Sequence, residues 1–467
     1  MTKLLVVLVV SLVQVQGCYW NSKCHYGFFA AKTPYDTVRG DLRDHEIPWP
    51  LLWHCEAASV WTINRHGNRN PGTSVTVGMR QVAQLKDEII ASYDAGKSQL
   101  CAQDIENFRK WSWNSTLDTT QSFLTGEGYE ELYDIGKRIR EKYPQLLQGT
   151  IEQFYFRPTN EQRTITSCMA FVHGITDGLD LNVTVEDAWQ RDDVIRPYEN
   201  CDRYQQDVKG GQSLADQLDS YFKSSEYVTV QDAVQQRLGI TTLLDTQNIF
   251  SIYELCRFYR SWTPNLQSPW CSAFTDEDLL VLEYYDDVRH YHRNGYGSWV
   301  NVNLGKAPMK DLYENFEAVV NGEGKKVVGY FTHDTMLEMI WSALGIYKDD
   351  SPIQSTVRNV DRLWRSSFIA AFSVNFMAVL NRCNEAGLQT YRVQLFINEL
   401  QTPICPAEGC TWQEFQDKFQ IYSASNLSFC SMDYEYEVIE APTPNSASPI
   451  RGSNYIYCTL VVSILNV

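Results

Sequence analysis

The sequence predicts an α/β protein with a central, mostly parallel sheet, flanking helices and an inserted, mainly α-helical domain. Strand-like apolar runs occur at residues 59–63, 152–156, 327–331 and 392–397. The first three runs lead directly into polar motifs, as expected where catalytic loops follow the carboxyl ends of strands in an open α/β sheet. Residues 175–315 show helical patterns without strong strand signals, and this contrast indicates the insert.

The chain divides into five predicted segments. They are a signal peptide at 1–17, the first part of the α/β core at 18–174, the helical insert at 175–315, the second part of the core at 316–440, and a polar spacer with an apolar tail at 441–467. Helices are predicted at 78–94, 126–143, after Glu161, at 212–224 and at 275–289. We expect a cleft between the two domains, with the catalytic loops at its base.

Composition limits the class of protein and of partner. The 467 residues are 44% hydrophobic and 21% charged, which is typical of a globular chain rather than a disordered one. The formal net charge of −17 argues against nucleic-acid binding. A phosphate site must therefore be a local basic pocket in an acidic protein.

The first motif, residues 65–71, reads Arg-His-Gly-Asn-Arg-Asn-Pro. The guanidinium groups of Arg65 and Arg69 match phosphate oxygens bidentately and stay charged. A neutral nitrogen of His66 can attack phosphorus and carry the phosphoryl group. Gly67 allows the backbone to approach a ligand closely. A lone histidine after a strand is usually structural, and the flanking arginines are what favour chemistry here.

Two more segments complete a set of three motifs. Residues 157–167 follow the second strand-like run and begin with an arginine, and the triplet Thr-His-Asp at 332–334 follows the third run. The order and wide spacing of the motifs resemble those of the histidine acid phosphatases, the branch of the histidine phosphatase superfamily that includes phytases. The resemblance implies a phosphoglycerate-mutase-like core and hydrolysis through a phosphohistidine, with no metal and no other cofactor.

Three segments resemble the multiple inositol polyphosphate phosphatases within this family. They are residues 33–40, the Trp-Cys pair at 270–271 followed by 281–284, and the Gly-Tyr-Gly at 295–297. One position departs from that pattern. The third motif of the subfamily commonly reads His-Ala-Glu, with the glutamate as proton donor, whereas this chain has His-Asp-Thr at 333–335.

The resemblance also implies the roles of the site residues. It assigns the nucleophile to His66 and the groups around the transferred phosphoryl to Arg65, Arg69, Arg163 and His333. Asp334 becomes the proton donor to the leaving oxygen, and it must start protonated, which predicts an acidic optimum unless burial or neighbouring charge raises its pKa. The alternatives are that Asp334 caps a helix and that Glu338, one helical turn further on, is a rival donor or a surface carboxylate.

Further charged residues have two interpretations each. Arg157 is either a second phosphate ligand or a structural salt-bridge partner. Lys32 lies in the N-terminal segment, where it could reach a phosphate of the substrate. His290 and His292 lie two apart, but no third ligand accompanies them and we predict no metal site.

Both ends of the chain predict the secretory pathway. Residues 4–13 are an apolar run after Lys3, shorter than a membrane span, with small residues before a cleavage site near Cys18. Glycosylation acceptors follow at Asn114, Asn182 and Asn426. The polar spacer and apolar tail at 441–467 resemble a glycosylphosphatidylinositol signal, the alternative being an ordinary final strand or tail. An extracellular or cell-surface location follows, with contact to the membrane surface through a lipid anchor.

The thirteen cysteines are disulfide candidates on this route. Cys405 and Cys410 are close enough to close a local loop. We expect Cys458 to be the unpaired cysteine, because removal of the tail would discard it and leave an even number.

The leading hypothesis is a secreted phosphomonoesterase that acts on inositol hexakisphosphate and related inositol polyphosphates. One alternative is an acid phosphatase of broad specificity that acts on small phosphate esters. Another is a catalytically silent surface binding protein. The charge of the pocket discriminates between the two enzymes, since a polyphosphate site needs Lys or Arg residues beyond the catalytic set.

Overall fold

The computed structural model describes residues 26–48, 55–181, 183–263 and 268–434. The sheet consists of β1 (Cys55–Arg65), β2 (Phe154–Pro158), β3 (Val327–Thr332), β4 (Asn375–Glu385), β5 (Leu388–Ile397), β6 (Leu400–Gln401) and β7 (Cys410–Thr411). Its strand order is β2-β3-β1-β4-β5-β6, and β7 pairs with β5. The predicted fold class is confirmed, and all four predicted strands are present.

The three strands that precede the motifs are neighbours and run parallel. β3 lies between β2 and β1, with Arg65 opposite Thr332 and Pro158 opposite Phe331. Every residue of β3 is buried, as expected for a parallel strand that is covered on both faces. This register brings the carboxyl ends of the three strands, and therefore the three motifs, to one edge of the sheet.

The other half of the sheet is antiparallel. β4 pairs with β1 and with β5, and β5 pairs with β6 and β7. Sequence analysis missed β4, although its apolar run from Phe376 to Leu380 is as continuous as the run in β3. A disulfide between Cys55 and Cys383 joins β1 to β4 at paired positions.

The helices are α1 (Thr73–Ala83), α2 (Lys86–Asp94), α3 (Ala102–Lys110), α4 (Gly126–Lys142), α5 (Gln162–Thr176), α6 (Gln212–Phe222), α7 (Ser225–Leu238), α8 (Thr246–Trp262), α9 (Asp276–Asn294), α10 (Trp299–Leu304), α11 (Lys306–Val320), α12 (Asp334–Leu344), α13 (Ser366–Ile369) and α14 (Trp412–Phe419). A π-helical segment spans Tyr204–Lys209. The helix predicted at 78–94 is divided into α1 and α2, because the amides of Gln84 and Leu85 bond to carbonyls three residues back.

Two apolar cores cover the two faces of the sheet. One face carries Val60, Val327 and Phe331 and packs against α4 and α5. The opposite face carries Trp61 and Tyr330 and packs against α11, α12 and a large helical layer. The layer contains α6–α10, and α1 packs against α8 within it. Between α5 and β3, the described residues contribute no strand to the sheet, which agrees with a helical insert.

Disulfides also join Cys201 to Cys430, Cys256 to Cys271 and, as predicted, Cys405 to Cys410. The free, buried cysteine is Cys168, which lies in α5 against the sheet. Of the thirteen cysteines, twelve remain when Cys168 is set aside, and this even number includes Cys458. The cysteine count therefore no longer supports removal of the tail.

Some predicted features lie outside the described residues. They are the signal peptide, Asn182, Cys458 and the segment 441–467. Among the described helices, none has the length and apolar character needed to cross a membrane.

Candidate active site

The three motifs meet where the parallel strands end. The amide of His66 donates to the carbonyl of Thr332 at 3.0 Å, and the amide of Thr159 donates to the carbonyl of Phe331 at 2.9 Å. On the other side, Ser373 donates its amide to the carbonyl of His66 at 3.2 Å. Backbone hydrogen bonds thus hold the loop after β1 between the loops after β2 and β3 and the segment before β4.

Glycine is required where this loop meets α4. A Cβ atom on Gly67 would lie 2.1 Å from the carbonyl oxygen of Gly128, and a Cβ on Gly128 would lie 2.1 Å from the carbonyl oxygen of Asn68. Thr125 caps α4 and donates both its amide and its hydroxyl to that same Asn68 carbonyl, at 2.9 and 3.0 Å. The loop that carries His66 therefore packs directly on the first turn of α4.

Glu131 holds the loop that carries His66, and the sequence analysis did not predict this role. Its carboxylate accepts the amide of Asn68 at 2.9 Å and the hydroxyl of Ser373 at 2.7 Å. Burial raises the pKa of Glu131 to about 7. A signal was present in the sequence, because Glu131 lies three residues after Gly128 and one before Leu132, on the buried face of α4.

His66 has the geometry of a neutral nucleophile. Its Nδ1 lies 2.8 Å from the carbonyl oxygen of Gly67, so Nδ1 carries the hydrogen and Nε2 keeps its lone pair. Burial, followed by the charges of Arg163, Arg65 and Arg69, holds the pKa of His66 well below its usual range. The imidazole lines the cavity that the motifs share.

Arg69 and Arg163 line the same cavity. Burial and then the charges of Arg163 and Arg65 lower the pKa of Arg69 to about 10. The side chain of Arg69 donates to the carbonyl of Asn70 at 2.7 Å, and its Nε finds no partner among the described residues. Crowded guanidinium groups of this kind favour the binding of an anion.

Arg65 is buried and is not among the residues that line the cavity. One terminal nitrogen donates to the carbonyls of Ala31 and Ala370, at 2.7 and 2.5 Å, and the other forms an ion pair with Asp334 at 3.1 Å. Within the described part of the chain its Nε has no partner. The structure thus shows Arg65 as the counter-charge of Asp334, and direct contact with phosphate stays a prediction.

His333 and Asp334 follow β3 at the start of α12. The two imidazole rings of His66 and His333 are 5.6 Å apart between centroids, and Nε2 of His333 is 3.2 Å from the hydroxyl of Thr159. Burial and then the charge of Arg163 hold the pKa of His333 well below its usual range. His333 occupies the N-cap position without a side-chain capping hydrogen bond, and Asp334 is the first residue of α12 rather than its cap.

Asp334 is ionised in the free site. Burial opposes ionisation, but the charge of Arg65, together with His290 and Lys32, holds the pKa of Asp334 well below its usual range. Its Oδ1 also accepts the amide of Thr335 at 2.9 Å. The sequence led us to expect an acid that starts protonated, whereas this environment favours the ionised carboxylate.

The cavity has a volume of about 240 Å³ and carries many more cations than the motifs supply. Glu161 and Thr335 of the motif segments also line it. We call the five predicted site residues that line it the cavity floor; they are His66, Arg69, Arg163, His333 and Asp334. We call the remaining cations the cavity wall; they are Lys32, Arg196, Lys209, Arg289 and Arg293. Sequence analysis predicted only Lys32 of the wall. Burial and then the charge of Arg257 lower the pKa of Lys32 to about 7.

The structure decides between the two interpretations of Arg157 and excludes one of the two interpretations of Glu338. Arg157 is buried outside the cavity, where its Nε pairs with Asp192 at 2.9 Å and its guanidinium lies 3.7 Å from the ring of Trp189. It is therefore the structural salt-bridge partner rather than the substrate ligand. Glu338 is not a surface carboxylate, since none of its surface is exposed. Its carboxylate accepts a hydrogen bond from Nδ1 of His290 at 2.8 Å.

A neutral histidine in a cluster of arginines, at the carboxyl edge of parallel strands, is an arrangement that suits the binding of a phosphate group. Residues 58–398 match the model of the histidine phosphatase superfamily, branch 2. The chain belongs to this superfamily, and it is a phosphatase.

Comparison with individual proteins agrees with this assignment. The chain is 30% identical to multiple inositol polyphosphate phosphatase 1 of Drosophila melanogaster over 96% of either chain. Its fold is similar to that of a phytase from D. castellii, with a TM-score of 0.65, 19% identity and coverage of 85% of this chain and 84% of the other. It is also similar to the Bifidobacterium longum multiple inositol polyphosphate phosphatase in complex with inositol hexasulfate, with a TM-score of 0.60, 13% identity and coverage of 81% and 94%.

Proposed function

We propose that this protein hydrolyses phosphate monoesters of inositol polyphosphates, inositol hexakisphosphate among them, through a phosphohistidine on His66. The observation that carries the proposal is the cavity wall, which adds five cations to those of the floor. One phosphoryl group can be held by the floor arginines and His333. The additional cations suit a substrate that carries several more phosphates on one compact ring.

The comparisons support the same substrate class. The Drosophila relative, which is similar over nearly its whole length, is named as an inositol polyphosphate phosphatase. The Bifidobacterium structure contains inositol hexasulfate, a polyanion of the same shape and similar charge. Both observations agree with the charge of the cavity wall.

The first half of the reaction follows from the floor. Nε2 of His66 attacks phosphorus while Gly67 holds the proton on Nδ1. Arg69, Arg163 and His333 stabilise the charge that spreads over the three equatorial oxygens. The ester bond breaks, and the leaving oxygen must take a proton from an acid in the cavity, because an inositol alkoxide is a poor leaving group. Asp334, the donor implied by the resemblance, is ionised in the free site.

The second half regenerates the nucleophile. A water molecule attacks the phosphorus of the phosphohistidine, and the bond from phosphorus to Nε2 breaks. The group that donated the first proton is now a base and accepts a proton from this water. The crowded cations that hold His66 neutral also make its phosphorylated form electrostatically favourable, since the phosphoryl group brings negative charge to the cluster.

A matched pair of substrates tests the proposal. The wild-type protein is expected to release phosphate from inositol hexakisphosphate and from p-nitrophenyl phosphate, and His66→Ala is expected to release none from either. The double variant Lys209→Gln/Arg289→Gln should lower kcat/KM on inositol hexakisphosphate about 10- to 100-fold, because charge-assisted hydrogen bonds to phosphate are lost. It should leave kcat/KM on p-nitrophenyl phosphate nearly unchanged.

Two alternative outcomes would replace the proposal. Activity confined to p-nitrophenyl phosphate, with no effect of the wall variant, would identify an acid phosphatase of broad specificity. Absence of activity on both substrates would favour the surface binding protein.

We also propose that the protein follows the secretory pathway and is held at the cell surface by a lipid anchor. The disulfides support an oxidising compartment, and the acceptors Asn114 and Asn426 are exposed. Expression in animal cells should yield a protein that loses mass with an N-glycosidase and leaves the cell surface with a phosphatidylinositol-specific phospholipase. Release from the surface by salt alone would contradict the anchor.

A further inference from the structure

A carboxylate of the cavity contacts the cations that would hold the transferred phosphoryl group. Glu161 lies between β2 and α5 and lines the cavity. Its Oε2 forms a close ion pair with Nη1 of Arg163. Its Oε1 lies 2.9 Å from Nη2 of Arg196 and 3.5 Å from Nε2 of His333. The empty cavity therefore contains an anion of its own, in contact with groups to which a substrate phosphate is expected to bind.

The structure of α5 does not require this side chain. Glu161 is the N-cap residue of α5, a position where the short side chain of Ser, Thr, Asp or Asn usually accepts a backbone amide. Glu161 makes no such capping hydrogen bond. Its backbone serves the helix instead, because its carbonyl accepts the amides of Thr164 and Ile165 at 3.0 Å. The carboxylate is therefore directed to the cavity rather than to the end of the helix.

The ion pairs of Glu161 differ from the structural ion pairs of this protein. Glu399, which pairs with Arg138, has a side chain without exposed surface and lies outside the cavity. The side chain of Glu161 is 25% exposed, and a partly exposed ion pair contributes little to stability. A phosphate carries more charge and more acceptor oxygens than a carboxylate. The contacts of Glu161 are thus of a kind that an incoming phosphate can replace.

We propose that Glu161 is an internal competitor for the phosphate site: substrate displaces its carboxylate on binding, and the carboxylate displaces inorganic phosphate after hydrolysis. The proposal rests on the proposed function, because it takes Arg163 and His333 as ligands of the transferred phosphoryl group. A phosphate and the carboxylate repel each other when they share these ligands. Contacts with the cavity wall offset this repulsion for a polyphosphate but not for inorganic phosphate. Glu161 thereby favours the binding of substrate over that of product.

This role has a signature in the affinity for inorganic phosphate. Removal of the carboxylate leaves Arg163 and Arg196 without this competitor, so phosphate should bind more tightly. A residue that only holds Arg163 in place would have the opposite effect, because its loss would release the guanidinium group from its position. A residue that transfers a proton would change kcat and leave the affinity for phosphate nearly unchanged.

The experiment measures the binding of inorganic phosphate by titration calorimetry and its inhibition of p-nitrophenyl phosphate hydrolysis. Glu161→Gln keeps the length of the side chain and removes its charge, and it should lower the dissociation and inhibition constants of phosphate about tenfold. Glu161→Ser should act in the same way, and its hydroxyl can cap α5, so it carries the test if Glu161→Gln does not fold. The matched control is Glu186→Gln, at an exposed position outside the cavity, which should change either constant by less than about twofold.

Two results would overturn the proposal. Unchanged or weaker binding of phosphate by the folded variants of Glu161 would make this residue a structural partner of Arg163. A loss of kcat greater than about 100-fold with unchanged phosphate affinity would make it a catalytic acid or base. Failure of the wild-type protein to hydrolyse p-nitrophenyl phosphate and inositol hexakisphosphate would refute the proposed function itself. That failure is distinguishable, because the calorimetric comparison requires no turnover.

Discussion

The floor and the wall of the cavity are built in different ways. Floor side chains lie in the loops and first helical turns that follow three parallel strands. Polar contacts fix individual side chains, such as His66 to Gly67 at 2.8 Å and Asp334 to Arg65 at 3.1 Å. Wall cations come from the N-terminal segment, the loop after α5, the π-helical segment and α9. Among the described residues, Arg289 has no ion pair, and the Lys209 ammonium contacts only Gln205, at 3.1 Å.

This difference separates chemistry from specificity. The floor is pre-organised, so its geometry exists before the substrate arrives and little is left to adjust during reaction. The wall holds charges that a bound polyanion would neutralise. Changes in the backbone of the floor should therefore affect every substrate, whereas changes in the wall should affect substrates with several phosphates.

Among the changes that test this contrast between floor and wall, the largest effect is expected at Gly128. Gly128→Ala places a methyl group against the Asn68 backbone and should displace the nucleophile loop, lowering kcat on both p-nitrophenyl phosphate and inositol hexakisphosphate by about 100-fold. The unfolding free energy should fall by about 1–3 kcal/mol. Gly126→Ala is the control in the same turn, because its Cβ would meet no atom within 4 Å, and it should keep full activity. Equal behaviour of the two variants would contradict the close packing of the loop on α4.

A second, smaller effect concerns stability and pH at Glu131. Burial raises its pKa from an ordinary 4.5 to about 7, so the folded protein retains a proton that the unfolded chain releases. The stability that this proton confers is complete below about pH 4.5 and is lost as the pH rises to about 7. Urea unfolding of wild type and Glu131→Gln should therefore show a difference in unfolding free energy that declines across this window and is flat above it. Parallel curves at all pH values would refute the assignment.

The smallest effect is expected in the wall, at Lys32. In the empty cavity its pKa is lowered to about 7, by burial and then by Arg257, and a bound polyphosphate should restore the proton. With His66→Ala as the background, so that no turnover occurs, Lys32→Met should weaken binding of inositol hexakisphosphate by about tenfold or less at pH 6. The two affinities should converge by pH 9, where the parent lysine is neutral. Titration calorimetry gives the affinity of each of the two proteins. A ratio of these affinities that stayed constant from pH 6 to pH 9 would show that Lys32 does not titrate in the complex.

The sequence predicted the floor because each of its motifs is contiguous and follows a recognisable strand. His66, Arg69, Arg163, His333 and Asp334 all line one cavity, as the order of strands requires. Most of the wall was not predictable in this way. Lys209, Arg289 and Arg293 carry no local pattern that differs from a solvated helix face, and only the packing of the helical layer brings them to the cavity.

Two residues had alternative interpretations that the sequence alone did not decide. Glu338 was considered as a surface carboxylate, but α12 is buried almost all round its circumference. Arg157 begins the second motif but still belongs to β2, where side chains alternate between faces, and it pairs with Asp192 rather than lining the cavity. In both cases tertiary packing, which the sequence does not show, fixes the surroundings of the side chain.

The central claim is that His66 carries the phosphoryl group, and trapping that intermediate tests it most directly. Wild-type protein is mixed with p-nitrophenyl phosphate that is labelled on its phosphoryl group, and the reaction is quenched in alkaline denaturant. The label should be retained in an acid-labile form on the peptide that contains His66. His66→Ala should retain none. Label on another residue, or full turnover by the wild type with no label on His66 at any quench time, would contradict the account.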